Sequence, residues 1–422
     1  MKSTLLSIAA LLFGVAILLT GQGLQGALVP TRAALESFPT ATIGAIGAAY
    51  FLGFMIGCLR GGVLISAVGH VRVFAAMTAL ASATPLLLGL WTDPWFWSVL
   101  RFLTGFCFAV LYIVIESWLN GIATNKTRGL IFSVYVFITL TVMAIGQMML
   151  LLYDPQALQL FVIASILVSV AAIPVALSRS EAPVKPRAVR IDLRRLISIS
   201  RAGTASCFAA GLTNGSFWAV SAIFATQYTG DTDSAAWYMT AGVIGGAVCQ
   251  WPLGYLSDRV ERRKVLIGTA LGAGLLSIFI VLAGRQLSEI QLMMFGVLWG
   301  GMAFPLYSVA VALTNDYAKP YEYVRVSSGL LLIYGIGAVI GPILSSILMG
   351  TLGPTGLYVF CAAVYALLCA VIAQTMNRPP ATDEAQCDFS DAIASVYTAS
   401  NVLQSSDSGL TNDQRANASG AK

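Results

Sequence analysis

Apolar runs of twenty or more residues recur along most of this chain, separated by short polar loops, and that pattern leaves few folds open. Each run is long enough to cross a bilayer as a helix. In lipid, every backbone N–H and C=O must find a partner within the protein, which a helix achieves inside one segment and an open sheet does not. A spanning barrel would show short alternating segments, and none appear. The content of 57% hydrophobic and 10% charged residues, with a mean hydropathy of +0.81, excludes a soluble globule. The net charge of +5 sits in the loops, where positive-inside bias accounts for it, so the expected partner is a lipid bilayer and not a nucleic acid.

The runs predict an all-α integral membrane protein with twelve spans, at roughly 5–30, 41–66, 72–91, 95–118, 129–152, 157–178, 203–226, 235–256, 264–284, 289–314, 326–349 and 355–376. Two six-helix bundles, 1–178 and 203–376, flank a basic linker over 179–202 that carries Arg179, Lys185, Arg187, Arg190, Arg194, Arg195 and Arg201. Residues 377–422 turn to Ser, Thr, Asn, Asp and Ala, the composition of a disordered tail. Met1-Lys2 followed by Leu5 to Leu19 looks like a leader, but no small-residue cleavage site follows, so it is expected to stay as the first helix. Six of the seven cysteines lie in apolar runs, with no metal or disulfide spacing.

Orientation follows from the bases. With both termini cytoplasmic, the inner loops hold Arg72, Lys126, Arg128, the linker, Arg259 to Lys264, Lys319 and Arg325, while the outer loops hold only Arg32 and Arg285. The halves also repeat. At an offset of 195, Gly105 falls on Gly300, Leu111-Tyr112 on Leu306-Tyr307, Asn120 on Asn315 and Gly146 on Gly341. At 192, Gly62 and Leu64 fall on Gly254 and Leu256. A near-constant offset implies a duplicated six-helix unit, a pseudo-twofold axis along the membrane normal and a site near the midplane.

The densest charge cluster, Asp258-Arg259-Val260-Glu261-Arg262-Arg263-Lys264, joins the eighth and ninth spans. With Gly254, Leu256, Ser257 and Leu266 it resembles motif A of the major facilitator superfamily, G-x-L-[AS]-D-R-x-G-R-R-x-x-L, with Glu261 in place of the glycine. The resemblance implies a cytoplasmic gate in which Asp258, Arg259, Arg262 and Arg263 hold the two halves together; a merely topogenic basic loop is the alternative. The corresponding loop of the first half keeps Gly62, Leu64 and Gly69 but has Ser66 for the acid and Ala67 for the base, so the gate is expected to rest on the second half.

Arg101 and Glu116 are the clearest ionisable residues inside a span, where charges are costly and functional by default. Arg101 with Gly105 resembles motif B, R-x-x-x-G, of proton-coupled exporters; an Arg snorkelling to the outer headgroups is the other reading. Glu116 lies fifteen residues further on, about 22 Å along a helix, so the two do not pair. It suits a gate charge, the preferred role, or a proton carrier, and a structural ion pair with Arg128 or the motif-A-type charges is the plainer alternative. Gly337, Gly341 and Pro342 resemble the core of motif C but sit in the eleventh span, where helix packing is the preferred role. The cavity is expected to be lined by Gln22, Gln25, Tyr112, Asn214, Trp218, Trp299 and Tyr307, from the first, fourth, seventh and tenth spans. That mixture suits an amphipathic or apolar solute, with helix packing an equal reading for each residue. His70, the sole histidine, is expected in a cytoplasmic loop.

Tyr50-Phe51-Leu52-Gly53, Val68-Gly69-His70, Glu116 to Asn120 and Ser327 to Leu330 are similar to the bacterial YcaD-like branch of that superfamily. The resemblance implies a multi-pass inner-membrane protein of twelve helices that works by alternating access, and gives no cargo. With no phosphate-binding loop and no metal set, neither an enzyme nor a cofactor is expected. The preferred reading is a proton-coupled secondary transporter of a small organic molecule, acting as a monomer and exporting. Nutrient uniport or symport is the alternative, and a non-transporting membrane sensor or assembly factor is a third.

Overall fold

The computed structural model describes residues 2–122, 128–176, 193–284, 286–318, 322–376 and 389. Among these there is no strand. The helices are α1 (Lys2–Leu35), α2 (Thr40–Val68), α3 (His70–Leu90), α4 (Pro94–Ile122), α5 (Arg128–Met148), α6 (Gln159–Val170), α7 (Ala172–Ala176), α8 (Leu193–Ile199), α9 (Arg201–Thr229), α10 (Ser234–Arg259), α11 (Arg262–Ala283), α12 (Glu289–Ala303), α13 (Pro305–Asp316), α14 (Tyr323–Leu352) and α15 (Gly356–Thr375). The basic loop residues Lys126, Lys319 and Arg285, linker residues 179–192 and the tail apart from Phe389 lie outside the described residues.

Among the described residues, ten helical stretches are long and apolar enough to cross a membrane. Two more complete the twelve. α10 runs for 26 residues, with polar groups such as Gln250, Ser257 and Asp258 diluting its apolar content. The sixth span is α6 and α7 in sequence, interrupted by a turn at Ala171. The tenth span is likewise two helices, because Pro305 has no N–H to continue the ladder after Phe304. The fifth ends in a tight turn over Met149–Leu152.

The ends are set locally. The Ser200 hydroxyl accepts from Gly203 N–H at 3.0 Å and starts α9, and Gly230, at φ 84°, closes it. Ser288 and Gln291 form a reciprocal capping box at α12. Gly69, at φ 97°, is the whole connection between α2 and α3. His70 is therefore the first residue of a helix and not part of a loop. It is buried, with Nε2 3.1 Å from Ser117 Oγ.

The bundles are held by close helix crossings at glycine. A Cβ at Gly53 would collide with the Phe102 carbonyl, and one at Gly105 with the Tyr50 carbonyl, so α2 and α4 touch backbone to backbone. α8 aside, the same device joins α1 to α5 at Gly23 and Gly146, α10 to α12 at Gly245 and Gly300, and α9 to α14 at Gly211 and Gly341. Gly105 with Gly300 and Gly146 with Gly341 are the pairs that repeat in the sequence, and they occupy equivalent crossings in the two bundles. Two hydrophobic cores result, one centred on α1, α3 and α4, the other running through α9 to α15 and continuing into the first half at residues such as Leu28, Ile46, Trp97 and Phe161.

Candidate functional site

A cavity of about 370 Å³ lies between the bundles, with walls from α1, α2, α4, α9 and α14 and Met143 of α5. Its size is that of a small-molecule site. The end remote from Asp258 is packed shut. There Gly44 sits against Ser346 and Pro342, Gly47 against Ala219, and Thr240 Oγ1 lies 3.2 Å from Gln147 Oε1. Toward the other end the wall reaches Cys58, Leu59 and Glu116.

Arg101 and Glu116 both line this cavity, near opposite ends of α4. The guanidinium carbon of Arg101 stands 4.4 Å from the Tyr50 ring centroid. The Tyr50 hydroxyl accepts from Gln22 Nε2 at 2.7 Å, and the Tyr112 hydroxyl donates to Gln22 Oε1 at 2.9 Å. Glu116 is 5% exposed, inside the wall. Gln25, three residues on from Gln22, is 1% exposed, and neither end of its amide meets a partner. Phe51, Phe54, Met55, Trp218 and Leu332 make the apolar wall.

Of the seven residues expected to line a cavity, Gln22, Gln25, Tyr112 and Trp218 lie in the wall of this one and three others lie elsewhere. Trp299 is 1% exposed, stacked on Phe217, with its indole N–H donating to Ser277 Oγ at 3.0 Å. It serves the core of the second bundle. Asn214 is buried in α9, and Tyr307 packs its ring 4.9 Å from that of Tyr334; neither is among the lining residues. The second and eleventh spans, absent from the predicted lining, supply Tyr50 to Leu59 and Leu331 to Ala338. The aromatic set Tyr50, Phe51 and Phe54 in an otherwise aliphatic second span was the available signal.

The motif A charges form one network at the opposite end from the packed seal. Arg262 Nη2 reaches Asp258 Oδ1 at 2.9 Å, and its Nε lies 2.9 Å from Asp316 Oδ2, an ion-pair contact with both side chains almost fully buried. Arg263 donates to the Thr375 carbonyl at 2.6 Å and to the Tyr317 hydroxyl. Arg259 lies over the Tyr255 ring at 4.0 Å. Arg195 pairs with Glu322 at 2.6 Å, tying α8 to the start of α14. Phe389, from the stretch expected to be disordered, seats its ring over Gly254, and its N–H donates to Asp258 Oδ1 at 3.1 Å. These partners of Asp258, Arg262 and Arg263 come from the second bundle and, at Phe389, from the stretch that follows it. In the first half, Gly62 is half-buried and Gly69 makes the turn described above. Gly337 and Gly341 approach the α9 backbone at Phe208 and Leu212, and Pro342 lies against Gly44 of α2.

Paired helical bundles around a cavity between them, sealed at one end and carrying a charged loop at the other, are the architecture of a membrane transporter. The chain belongs to the Major Facilitator Superfamily, which it matches over residues 11–199 and 203–404. It is similar to an uncharacterized MFS-type transporter of Enterobacter sp. strain 638, 26% identical over 375 residues that cover 88% of this chain and 96% of the relative. It is also similar to the uncharacterized MFS-type transporter YcaD of Escherichia fergusonii, 26% identical over 88% of this chain and 97% of that protein. Among solved structures, the nucleoside transporter NupG superposes with a TM-score of 0.75 at 12% identity, covering 90% of this chain and all of that one. A bacterial homologue of the lysosomal transporter Spinster, inward-facing and occupied, gives 0.64 at 13% identity, over 94% of this chain and 95% of that one.

Proposed function

We propose that the chain is a secondary active transporter of a small organic solute in the bacterial inner membrane, working by alternating access through the cavity between its bundles. Both termini and the Asp258 to Lys264 loop lie on the cytoplasmic side in this reading. The observation that carries it is the cavity itself, between the two bundles, packed shut at the end remote from motif A and with Arg101 and Glu116 at opposite ends of its wall. With the outer end sealed, the cavity in this state is reached from the cytoplasmic side, and export is the direction proposed. Protons moving inward are the driving partner, and Glu116 is the group that carries them, since a carboxyl buried in a cavity wall can exist neutral or charged. The transporter acts as a monomer. It needs no cofactor, and its work is transport and not catalysis.

The first test is a thermal-shift screen of purified protein against metabolites and drugs at about pH 5.5 and about pH 7.5, because a ligand of the folded state raises Tm. A hit is then followed in proteoliposomes. Glu116→Gln is expected to keep exchange of labelled solute across the membrane and to lose uphill accumulation driven by a pH gradient. Undiminished accumulation by Glu116→Gln would remove Glu116 as the carrier, and a wild-type protein that moves no bound ligand would remove the transport reading.

A further inference from the structure

Arg101 poses a question that the fold does not answer. Its guanidinium lines the cavity about two turns into α4, yet no carboxylate pairs with it among the described residues. Its Nε is buried and makes no hydrogen bond. The contact it does make is with the face of Tyr50, at 4.4 Å. A ring face is a weaker counter-partner than an anion and uses none of the five N–H donors. Glu116, the other charge in the wall, lies about four turns away along α4, roughly 22 Å by helical rise, and has interactions of its own. A planar, permanently charged fork left open toward a cavity is suited to bidentate recognition of an oxyanion.

A second, independent observation falls in the same cavity. Gln25 is 1% exposed and both Nε2 and Oε1 are without partners. Buried amides are almost always satisfied, so this one is open to a partner in the cavity, water or solute. Its neighbour Gln22 is engaged at both ends of its amide, Nε2 donating to Tyr50 and Oε1 accepting from Tyr112, an arrangement that holds Tyr50 beneath the guanidinium. Along the rest of the cavity Phe51, Phe54, Met55 and Trp218 form an apolar wall, with Thr104, Glu116 and Tyr334 as further polar side chains.

We infer that the solute is an amphipathic organic anion: a carboxylate or similar oxyanion held by Arg101, with the Gln25 amide donating to it, and an apolar or aromatic body along the Phe51, Phe54 and Trp218 wall. This rests on the transporter reading and names the substrate class for the same cavity. The anion supplies the charge partner that Arg101 otherwise lacks, and the two faces of the cavity match the two ends of the molecule.

The probes are 3-phenylpropanoate, cinnamate and indole-3-acetate, each beside its uncharged primary amide and the corresponding amine, bound to full-length protein in detergent and followed by thermal shift and titration calorimetry. At least one acid is expected to raise Tm, with the matching amide and amine weaker by about tenfold or more in Kd, the scale of a charge-assisted contact. Arg101→Gln is expected to abolish that preference, Arg101→Lys to restore part of it, and Gln25→Leu to weaken the acid while Gly350→Ala, outside the cavity lining, leaves its binding in place. If Arg101→Gln does not fold, Arg101→Lys and Gln25→Leu carry the test. Amides or amines binding as well as the acids, or acid binding indifferent to both positions, would overturn the anion class. Transport in proteoliposomes separates the two readings. Movement of neutral or cationic solutes alone sinks the anion and keeps the transporter, whereas acids that bind without moving sink the transporter and keep the site.

Discussion

Arg262 and Asp316 are the charges on which the charged end of the second bundle depends. Their side chains are 2% and 3% exposed, and the pair is extended by Asp258, which is 34% exposed. Removing one member of a buried pair strands the other, at a cost of about 3–5 kcal/mol, while replacing both with apolar groups is close to neutral. Arg262→Met should therefore lower Tm in detergent markedly, and Arg262→Met with Asp316→Leu should recover most of the loss. Equal losses in the single and double variants would show that the pair is not coupled. The cluster Asp258 to Lys264 was legible in the sequence because charge is rare in this chain; Asp316 was not, since its role comes from packing α13 against α11. His70 was misplaced for a comparable reason. A one-residue connection at Gly69 leaves no loop to hold it, and only the backbone conformation reveals how short that connection is.

At the scale of helices, the crossings at glycine set the positions of the lining residues. Gly105 allows α4 to touch α2 at Tyr50, the residue that sits under Arg101. Gly105→Ala is expected to cost about 1–3 kcal/mol, since the added carbon meets backbone that cannot rotate away, and to weaken ligand binding as the Tyr50 carbonyl is pushed back. Gly350→Ala, where the same carbon meets open space, should leave both Tm and binding unchanged. Similar losses at the two positions, read by thermal denaturation, would count against the crossing. The repeat of Gly105 on Gly300 and of Gly146 on Gly341 was readable before any coordinates, because close approach admits no other residue. Trp299 was harder. α12 is apolar on every side, so its sequence does not say which face meets the cavity and which the core. Tyr50 and the second span were missed because lining is decided by how α2 leans on α14, a relation between distant segments.

For the whole molecule, the long apolar runs and the near-constant offset between halves are enough to give twelve spans and two bundles, and the superfamily match agrees with them. What they do not give is the set of side chains facing inward, which depends on the rotation of each helix. The central claim is that the two bundles rock about the cavity, so that the seal at Gly44, Gly47 and Thr240 opens as the charged end closes. The most direct measurement is the distance between spin labels on Ser66→Cys of α2 and Lys264→Cys of α11, both exposed near the charged end of their helices, in a background free of native cysteines. Pulsed electron–electron dipolar spectroscopy in lipid nanodiscs is expected to give two distance populations, with their ratio shifted by pH and by a bound ligand. A single distribution that neither pH nor any transported ligand alters would contradict alternating access by this protein.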